Sequence, residues 1–86
     1  MTPAEVGALI AEVLGIDPSR IRGDLAFGEV PEWDSLHHVN LMIALEDRLG
    51  VVIGPEQLVE LTTVTLIEQF AAAHEPLGAE PPSTGS

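Results

Sequence analysis

The chain of 86 residues contains no cysteine, no tyrosine and no lysine. Without cysteine, a disulfide framework, a catalytic thiol in the polypeptide and a cysteine-based zinc site are all excluded. Aromatic residues make up only 3% of the chain, so a core has to be built from leucine, isoleucine, valine and alanine. Hydrophobic residues amount to 45%, which is sufficient for one small folded domain.

Basic side chains are also scarce. Fourteen acidic residues face three arginines, which gives a formal net charge of −11 at pH 7. A field of this sign repels nucleic acid and anionic membranes, so neither is predicted as a partner. It favours proteins with basic docking patches, although the acids could also serve only to keep the protein soluble.

Long apolar runs are missing as well. No stretch approaches the length of a transmembrane helix. The first residues lack the basic start of a signal peptide and include Glu5 and Glu12. We therefore expect a soluble, cytoplasmic and monomeric protein.

The apolar periodicity of the first third predicts one helix followed by a long connection. Thr2, Pro3 and Glu5 are typical of a capped helix start, and Gly15 is typical of a helix end. The connection over residues 15–34 is long for so small a domain. Its apolar residues are expected to pack against the helices, and they are Ile16, Ile21, Leu25, Phe27 and Trp33.

The second helix is predicted over residues 35–49, with Asp34 as its cap and Gly50 as its stop. The apolar residues 51–53 are interpreted as a loop that plugs the core, because a single strand would have no partner.

Two further helices are predicted, a short one that Gly54-Pro55-Glu56 starts and that runs to about Leu61, and a fourth from about Thr63 to His74. Phe70 is expected in the core. The fold class is therefore all-α, a four-helix bundle with three main helices, one short helix and a long first loop.

The last residues differ in composition from the rest. Residues 75–86 are rich in proline, glycine and serine and lack apolar periodicity. We expect residues 1–74 to form the domain and residues 75–86 to be a disordered tail.

The second helix has two apolar stripes when its side chains are placed about 100° apart. The first stripe consists of Leu41, Met42, Leu45 and Leu49, with His38 at its upper end. The second consists of Leu36, Val39 and Ile43, flanked by Asn40, Glu46 and Asp47. A small bundle can bury one such stripe, so the second is expected to face solvent or a partner. The alternative is that neighbouring helices bury both stripes.

Ser35 stands at the head of this helix, where backbone N–H groups are unpaired and the helix dipole is positive. A phosphate group would be well placed there. A serine in this position can equally be a simple cap.

The tripeptide Asp34-Ser35-Leu36, followed by a helix that ends in the sequence ALEDRLG at residues 44–50, resembles the carrier-protein family. This family serves fatty acid, polyketide and nonribosomal peptide synthesis, and the resemblance extends over about residues 4–73. It implies an acyl-carrier-like helical fold in which Ser35 accepts 4′-phosphopantetheine from coenzyme A. It also implies a non-catalytic domain that tethers an intermediate as a thioester and presents it to enzymes.

The resemblance further implies partners and a recognition face. The partners would be a phosphopantetheinyl transferase, an acyl- or aminoacyl-loading enzyme and downstream synthase or transferase enzymes. Asp34 would assist the transferase near its magnesium ion. The recognition face would consist of Asp34, Leu36, Val39, Ile43, Glu46 and Asp47.

One departure from the family pattern bears on the pathway. Fatty-acid carriers usually place acids early in this helix, where the chain has His37, His38 and Asn40. Trp33 before the tripeptide is more typical of discrete carriers of specialised biosynthesis. We therefore expect polyketide-like or other natural-product biosynthesis, with a peptidyl or aminoacyl carrier as the alternative.

Three other functions are compatible with parts of the sequence. A GDSL-type serine esterase would need a glycine before Asp34 and a distant histidine, whereas His37 and His38 are too close to Ser35. A metal site is disfavoured because adjacent histidines on a helix point about 100° apart. An acidic helical interaction module without a prosthetic group remains, and the intact mass of the protein would distinguish it from a carrier.

Overall fold

The computed structural model describes residues 1–74, which form four α-helices and one turn of 3-10 helix. The helices are α1 (Pro3–Leu14), α2 (Ser35–Leu49), α3 (Pro55–Glu60) and α4 (Val64–Ala73), and the 3-10 turn covers Pro18–Arg20. The predicted all-α bundle with one short helix is confirmed. The predicted tail at residues 75–86 lies outside the described residues.

Helix ends lie where the sequence pattern predicts them. The Thr2 hydroxyl accepts a hydrogen bond from the Glu5 backbone N–H at 3.2 Å, and the Glu5 carboxylate accepts one from the Thr2 N–H at 2.7 Å. This reciprocal pair satisfies two N–H groups that the helix itself cannot satisfy. Gly15 and Gly50 end α1 and α2 in the left-handed conformation, with φ of 71° and 69°. Glycine adopts this conformation without steric cost, so both helices stop sharply.

The core lies where α1 faces α2 and α4. Helix α1 buries one side, and α4 buries Val64, Ile67 and Ala71 against it. Aliphatic side chains make up most of the core, as the shortage of aromatic residues requires. Trp33 and His38 are exceptions, and Trp33 is the largest fully buried side chain among residues 1–74.

Helix α2 separates its two apolar stripes as predicted. Four aliphatic residues and one histidine are buried, namely His38, Leu41, Met42, Leu45 and Leu49. On the opposite side Leu36, Val39 and Ile43 are 65%, 41% and 56% exposed. The alternative in which the neighbours bury both stripes is therefore wrong.

The connection before α2 follows the core without a regular helix or strand beyond the 3-10 turn. Leu25 and Trp33 are fully buried, and Ile16 is nearly so. Phe27 is 39% exposed and lies edge-on to Trp33 and to His38 of α2, so it packs against a helix at the edge of the core.

Backbone hydrogen bonds fix this connection to the junction of α3 and α4. The Phe27 N–H donates to the Thr62 carbonyl at 2.8 Å, and the Val64 N–H donates to the Leu25 carbonyl at 3.0 Å. The hydroxyl and backbone N–H of Thr65 both donate to the Gly23 carbonyl. Hydrogen bonds of its backbone groups to residues 62–65 thus hold the long loop in place, and they satisfy polar groups that burial would otherwise leave unpaired.

Two predictions need correction. In the segment after α2, Ile53 is buried and Val51 packs partly against the core, whereas Val52 is 87% exposed, so only part of the segment plugs the core. Phe70 is only partly buried: it packs against the core, and its ring stacks on His74 at the end of α4 with centroids 4.1 Å apart. Within residues 1–74, no helix combines the length and apolar character needed to cross a membrane.

The separation of the two stripes predicts different costs for the same substitution on one helix. Leu45 is fully buried, so Leu45→Ala should lower the free energy of unfolding by about 2–5 kcal/mol. Urea denaturation followed by circular dichroism measures this quantity.

The matched control is Leu36→Ala, which removes the same atoms from a side chain that is 65% exposed. Its free energy of unfolding should stay close to that of the unsubstituted protein. Equal costs at the two positions would show that the burial of α2 is assigned to the wrong side.

Candidate functional site

Ser35 is the first residue of α2, and it is exposed. None of the hydrogen bonds formed among residues 1–74 involves its hydroxyl group. The cap is Asp34 instead, so the serine is not needed to complete the helix. The hydroxyl is therefore free to react with an incoming group.

Asp34 organises the first turn of the helix. Its carboxylate oxygen Oδ1 accepts a hydrogen bond from the His37 backbone N–H at 2.9 Å and lies 2.7 Å from Nδ1 of the His37 ring. The backbone N–H of His37, and then its side chain, hold the pKa of Asp34 below its usual value. The Asp34 carbonyl also accepts from the His38 N–H at 2.8 Å. The residue before Ser35 is thus fixed on both its side chain and its backbone.

The head of α2 suits a phosphate group. The capping interactions use the N–H groups of His37 and His38, whereas those of Ser35 and Leu36 have no hydrogen-bond partner within the described part of the chain. Unpaired N–H groups and the positive end of the helix dipole both stabilise an anion. A phosphodiester on the Ser35 hydroxyl would therefore meet favourable electrostatics in spite of the acidic chain.

A buried chain of hydrogen bonds lies beneath this first turn. Trp33 Nε1–H donates to Nδ1 of His38 at 3.0 Å, and Nε2 of His38 lies 2.7 Å from the Leu58 carbonyl oxygen. An indole N–H can only donate, so Nδ1 of His38 is the acceptor. The histidine proton then resides on Nε2 and is donated to Leu58 on α3. The three residues join the long connection, α2 and α3.

A cleft of about 290 Å³ opens beside Ser35, between α2 and α3. Its walls are mostly apolar, and Phe27 from the long connection forms one side. The lining residues are Phe27, Ser35, His38, Val39, Leu58, Val59 and Thr62. An apolar group attached near Ser35 therefore has a surface to contact.

The residues of the predicted recognition face have different surroundings. Leu36, Val39 and Ile43 are exposed on one side of α2, and Val39 also lines the cleft. Asp34 caps the helix, and Asp47 is exposed. Glu46, in contrast, is partly buried, and its carboxylate accepts a hydrogen bond from the Ile53 N–H at 2.6 Å. Glu46 therefore holds the segment after α2 as well as contributing charge.

Sequence reasoning missed three contributors to this site. Val59 of α3 is 68% exposed and extends the apolar surface, and Phe27 forms a wall of the cleft. The bond between Trp33 and His38 was not predicted either. A tryptophan just before the cap and a histidine within a buried stripe were signals that the two could meet.

Both ring nitrogens of His38 are occupied by hydrogen bonds. Across residues 1–74 there is no group of three or more histidine, aspartate and glutamate side chains that could hold an ion.

The lowered pKa of Asp34 predicts a pH-dependent contribution to stability. Because the pKa of Asp34 in the folded state lies below its ordinary value of 3.8, the contribution of this carboxylate to stability is fully present above pH 3.8. It is lost as the pH falls through the folded-state pKa. Asp34→Asn keeps a capping oxygen without a titrating carboxylate. The unsubstituted protein should therefore lose stability more steeply than this variant at acidic pH.

Thermal unfolding at a series of acidic pH values measures this difference, and comparing the two proteins removes the effect of the other acids. NMR titration of the Asp34 carboxyl carbon provides an independent measurement. Parallel stability curves, or an Asp34 pKa at or above 3.8, would contradict the assignment of the cap.

Comparison with known proteins agrees with this geometry. The family described as "Phosphopantetheine attachment site" matches residues 4–71, which include Ser35, α2 and the cleft. An acyl carrier protein of Rhodococcus erythropolis is 38% identical over 77 residues, covering 90% of this chain and 85% of that protein. An acyl carrier protein of Thermosynechococcus vestitus is 36% identical over 66 residues, covering 77% and 82% respectively. The chain therefore belongs to the acyl carrier protein family, whose members are not enzymes and bear a covalently attached 4′-phosphopantetheine group.

Proposed function

We propose that Ser35 is the attachment residue and that residues 1–74 constitute the carrier domain. The observation that carries this proposal is the exposed Ser35 hydroxyl at the head of α2, next to a cap that does not use it. The family match supports the domain assignment, because it ends at residue 71 within α4. An interaction module without a prosthetic group would not require this combination.

The cargo is proposed to be an acyl group. The similar proteins from Rhodococcus and Thermosynechococcus are both named acyl carrier proteins, which favours acyl over peptidyl or aminoacyl cargo. We place the carrier in polyketide-like or other natural-product biosynthesis because the early part of α2 presents His37 and Asn40 where fatty-acid carriers have acids. His38 is buried, so that position reflects packing and not recognition.

The chain contributes position and electrostatics to this function. Asp34 and the first turn of α2 present Ser35 at the exposed head of the helix and leave two N–H groups near the position that a phosphate on Ser35 would take. The attached arm supplies a terminal thiol, which holds an acyl group as a thioester. Because the polypeptide contains no cysteine, no thiol of its own can compete for the acyl group.

Partner enzymes are proposed to dock on the exposed side of α2. The phosphopantetheinyl transferase and the acyl-handling enzymes would contact Leu36, Val39 and Ile43, with Asp34 and Asp47 as flanking charges. A short apolar stripe flanked by acids gives weak contacts and fast, electrostatically steered encounter. Such docking suits a carrier that has to leave each enzyme after one step.

The first test of this proposal is the mass of the modified protein. Incubation with coenzyme A and a broad-specificity transferase should add one phosphopantetheine group, and digestion should map it to Ser35. Ser35→Ala should abolish the addition, whereas Ser19→Ala, at an exposed serine outside α2, should not. Addition at another serine, or no addition with several transferases, would contradict the assignment.

The second test concerns the docking surface. Val39→Asp should leave the melting temperature nearly unchanged, because the side chain is already 41% exposed. It should slow modification at least several-fold, since a charge is introduced into an apolar contact. Asp47→Lys should slow modification mainly at low ionic strength.

Glu46→Lys is the contrasting variant, because it also breaks the hydrogen bond to Ile53 and should lower the melting temperature. Circular dichroism and modification kinetics on the same samples separate the two effects. Unfolding by Val39→Asp, or unchanged modification rates in both Val39→Asp and Asp47→Lys, would exclude this side of α2 as the docking surface.

A further inference from the structure

A hydrogen bond joins the two helices that border the cleft beside Ser35. His38 of α2 and Leu58 of α3 both line the cleft, and the His38 ring donates to the Leu58 carbonyl across the 2.7 Å between them. Trp33 does not line the cleft; it is fully buried and donates to the other ring nitrogen at 3.0 Å. The two helices are therefore held together at His38 by a hydrogen bond that a second hydrogen bond supports.

The cleft has room for a small apolar group. A dry aliphatic cavity of about 150 Å³ can hold one benzene molecule. The cleft measures about 290 Å³ and is partly open to solvent. Val39, Val59 and Phe27 provide apolar contact on its exposed side.

Deepening the cleft would require α2 and α3 to separate at His38. Separation would leave the His38 ring N–H and the Leu58 carbonyl without a partner in an apolar interior, which is strongly unfavourable. An alkyl chain has no hydrogen-bonding groups, so it could not replace the broken bond. The groups that hydrogen-bond to the His38 ring or lie against it include the Trp33 and Phe27 rings and the Leu58 carbonyl, which are uncharged.

We propose that Trp33 and His38 act as a stop that limits the length of cargo the domain can enclose. This proposal rests on attachment of the arm at Ser35, because an arm that starts at the rim of the cleft can fold back over it. Short acyl groups then pack in the cleft between Val39 and Val59, whereas the distal part of a long alkyl chain stays in solvent. The domain is suited to short acyl cargo and not to long alkyl chains.

The test uses the full chain with the arm at Ser35, loaded in turn with acetyl, butyryl, hexanoyl, octanoyl and decanoyl groups. The terminal methyl group of each cargo is labelled with carbon-13. In the butyryl form this methyl should show NMR contacts to Val39 and Val59. In the decanoyl form the labelled methyl should show no NMR contacts to the buried Leu41 and Ile67. Across the series, the melting temperature should rise for the shortest acyl groups and then stay constant.

Two variants remove the stop. His38→Leu deletes both hydrogen bonds and introduces an apolar side chain of comparable size, and Trp33→Phe deletes the indole donor together with part of the ring volume. In His38→Leu the decanoyl methyl should contact Leu41 or Ile67, and the melting temperature should rise with chain length. His74→Leu is the matched control, since His74 does not line the cleft, and it should keep the limit of the unsubstituted protein.

Each outcome decides between the alternatives. Contact of the decanoyl methyl with the core of the unsubstituted protein would overturn the proposal, and this measurement is decisive even if His38→Leu does not fold. The same length limit in folded His38→Leu and Trp33→Phe would overturn it as well. If Ser35 accepts no arm, the proposed attachment site fails together with this proposal, whereas enclosure of decanoyl on a normally modified Ser35 refutes the stop alone.

Discussion

The arrangement of the residues around Ser35 depends on the two hydrogen bonds of the neutral His38 imidazole. The histidine accepts from Trp33 in the long connection and donates to Leu58 in α3, while its own backbone continues α2. A histidine can do both only as the tautomer with its proton on Nε2. The short helix α3 has only six residues, too few to be stable alone, so this bond helps to fix it beside Ser35.

Helix α2 has to meet two demands at once. Its buried side supplies Leu41, Leu45 and Leu49 to the core, and its outer side displays three apolar residues beside Ser35. The arginines are divided as well. Arg20 and Arg22 pair with acids of the long connection, whereas Arg48 lies in the last turn of α2.

The elements that could be predicted from sequence are those governed by local rules. Capping residues and periodicity depend on positions three or four apart, so the bounds of α1 and α2 and the two stripes of α2 followed directly. The bond from His38 to Leu58 spans twenty residues, and no local pattern specifies it. The role of Glu46 in holding Ile53 and the partial exposure of Phe27 and Phe70 also depend on tertiary placement. Periodicity indicates which face is apolar, but it does not identify the polar partner of a buried group.

The fastening of the long connection has a consequence for protein synthesis. Residues 62–65 form hydrogen bonds with Gly23, Leu25 and Phe27, and the His38 ring donates a hydrogen bond to the carbonyl of Leu58. These partners are translated well after Ser35, and loops of such length close only when both ends are available. When α2 has just emerged from the ribosome, Ser35 is therefore exposed before the residues that surround it in the folded domain are in place. The mature surface that a modifying enzyme meets arises only once α4 has emerged and docked.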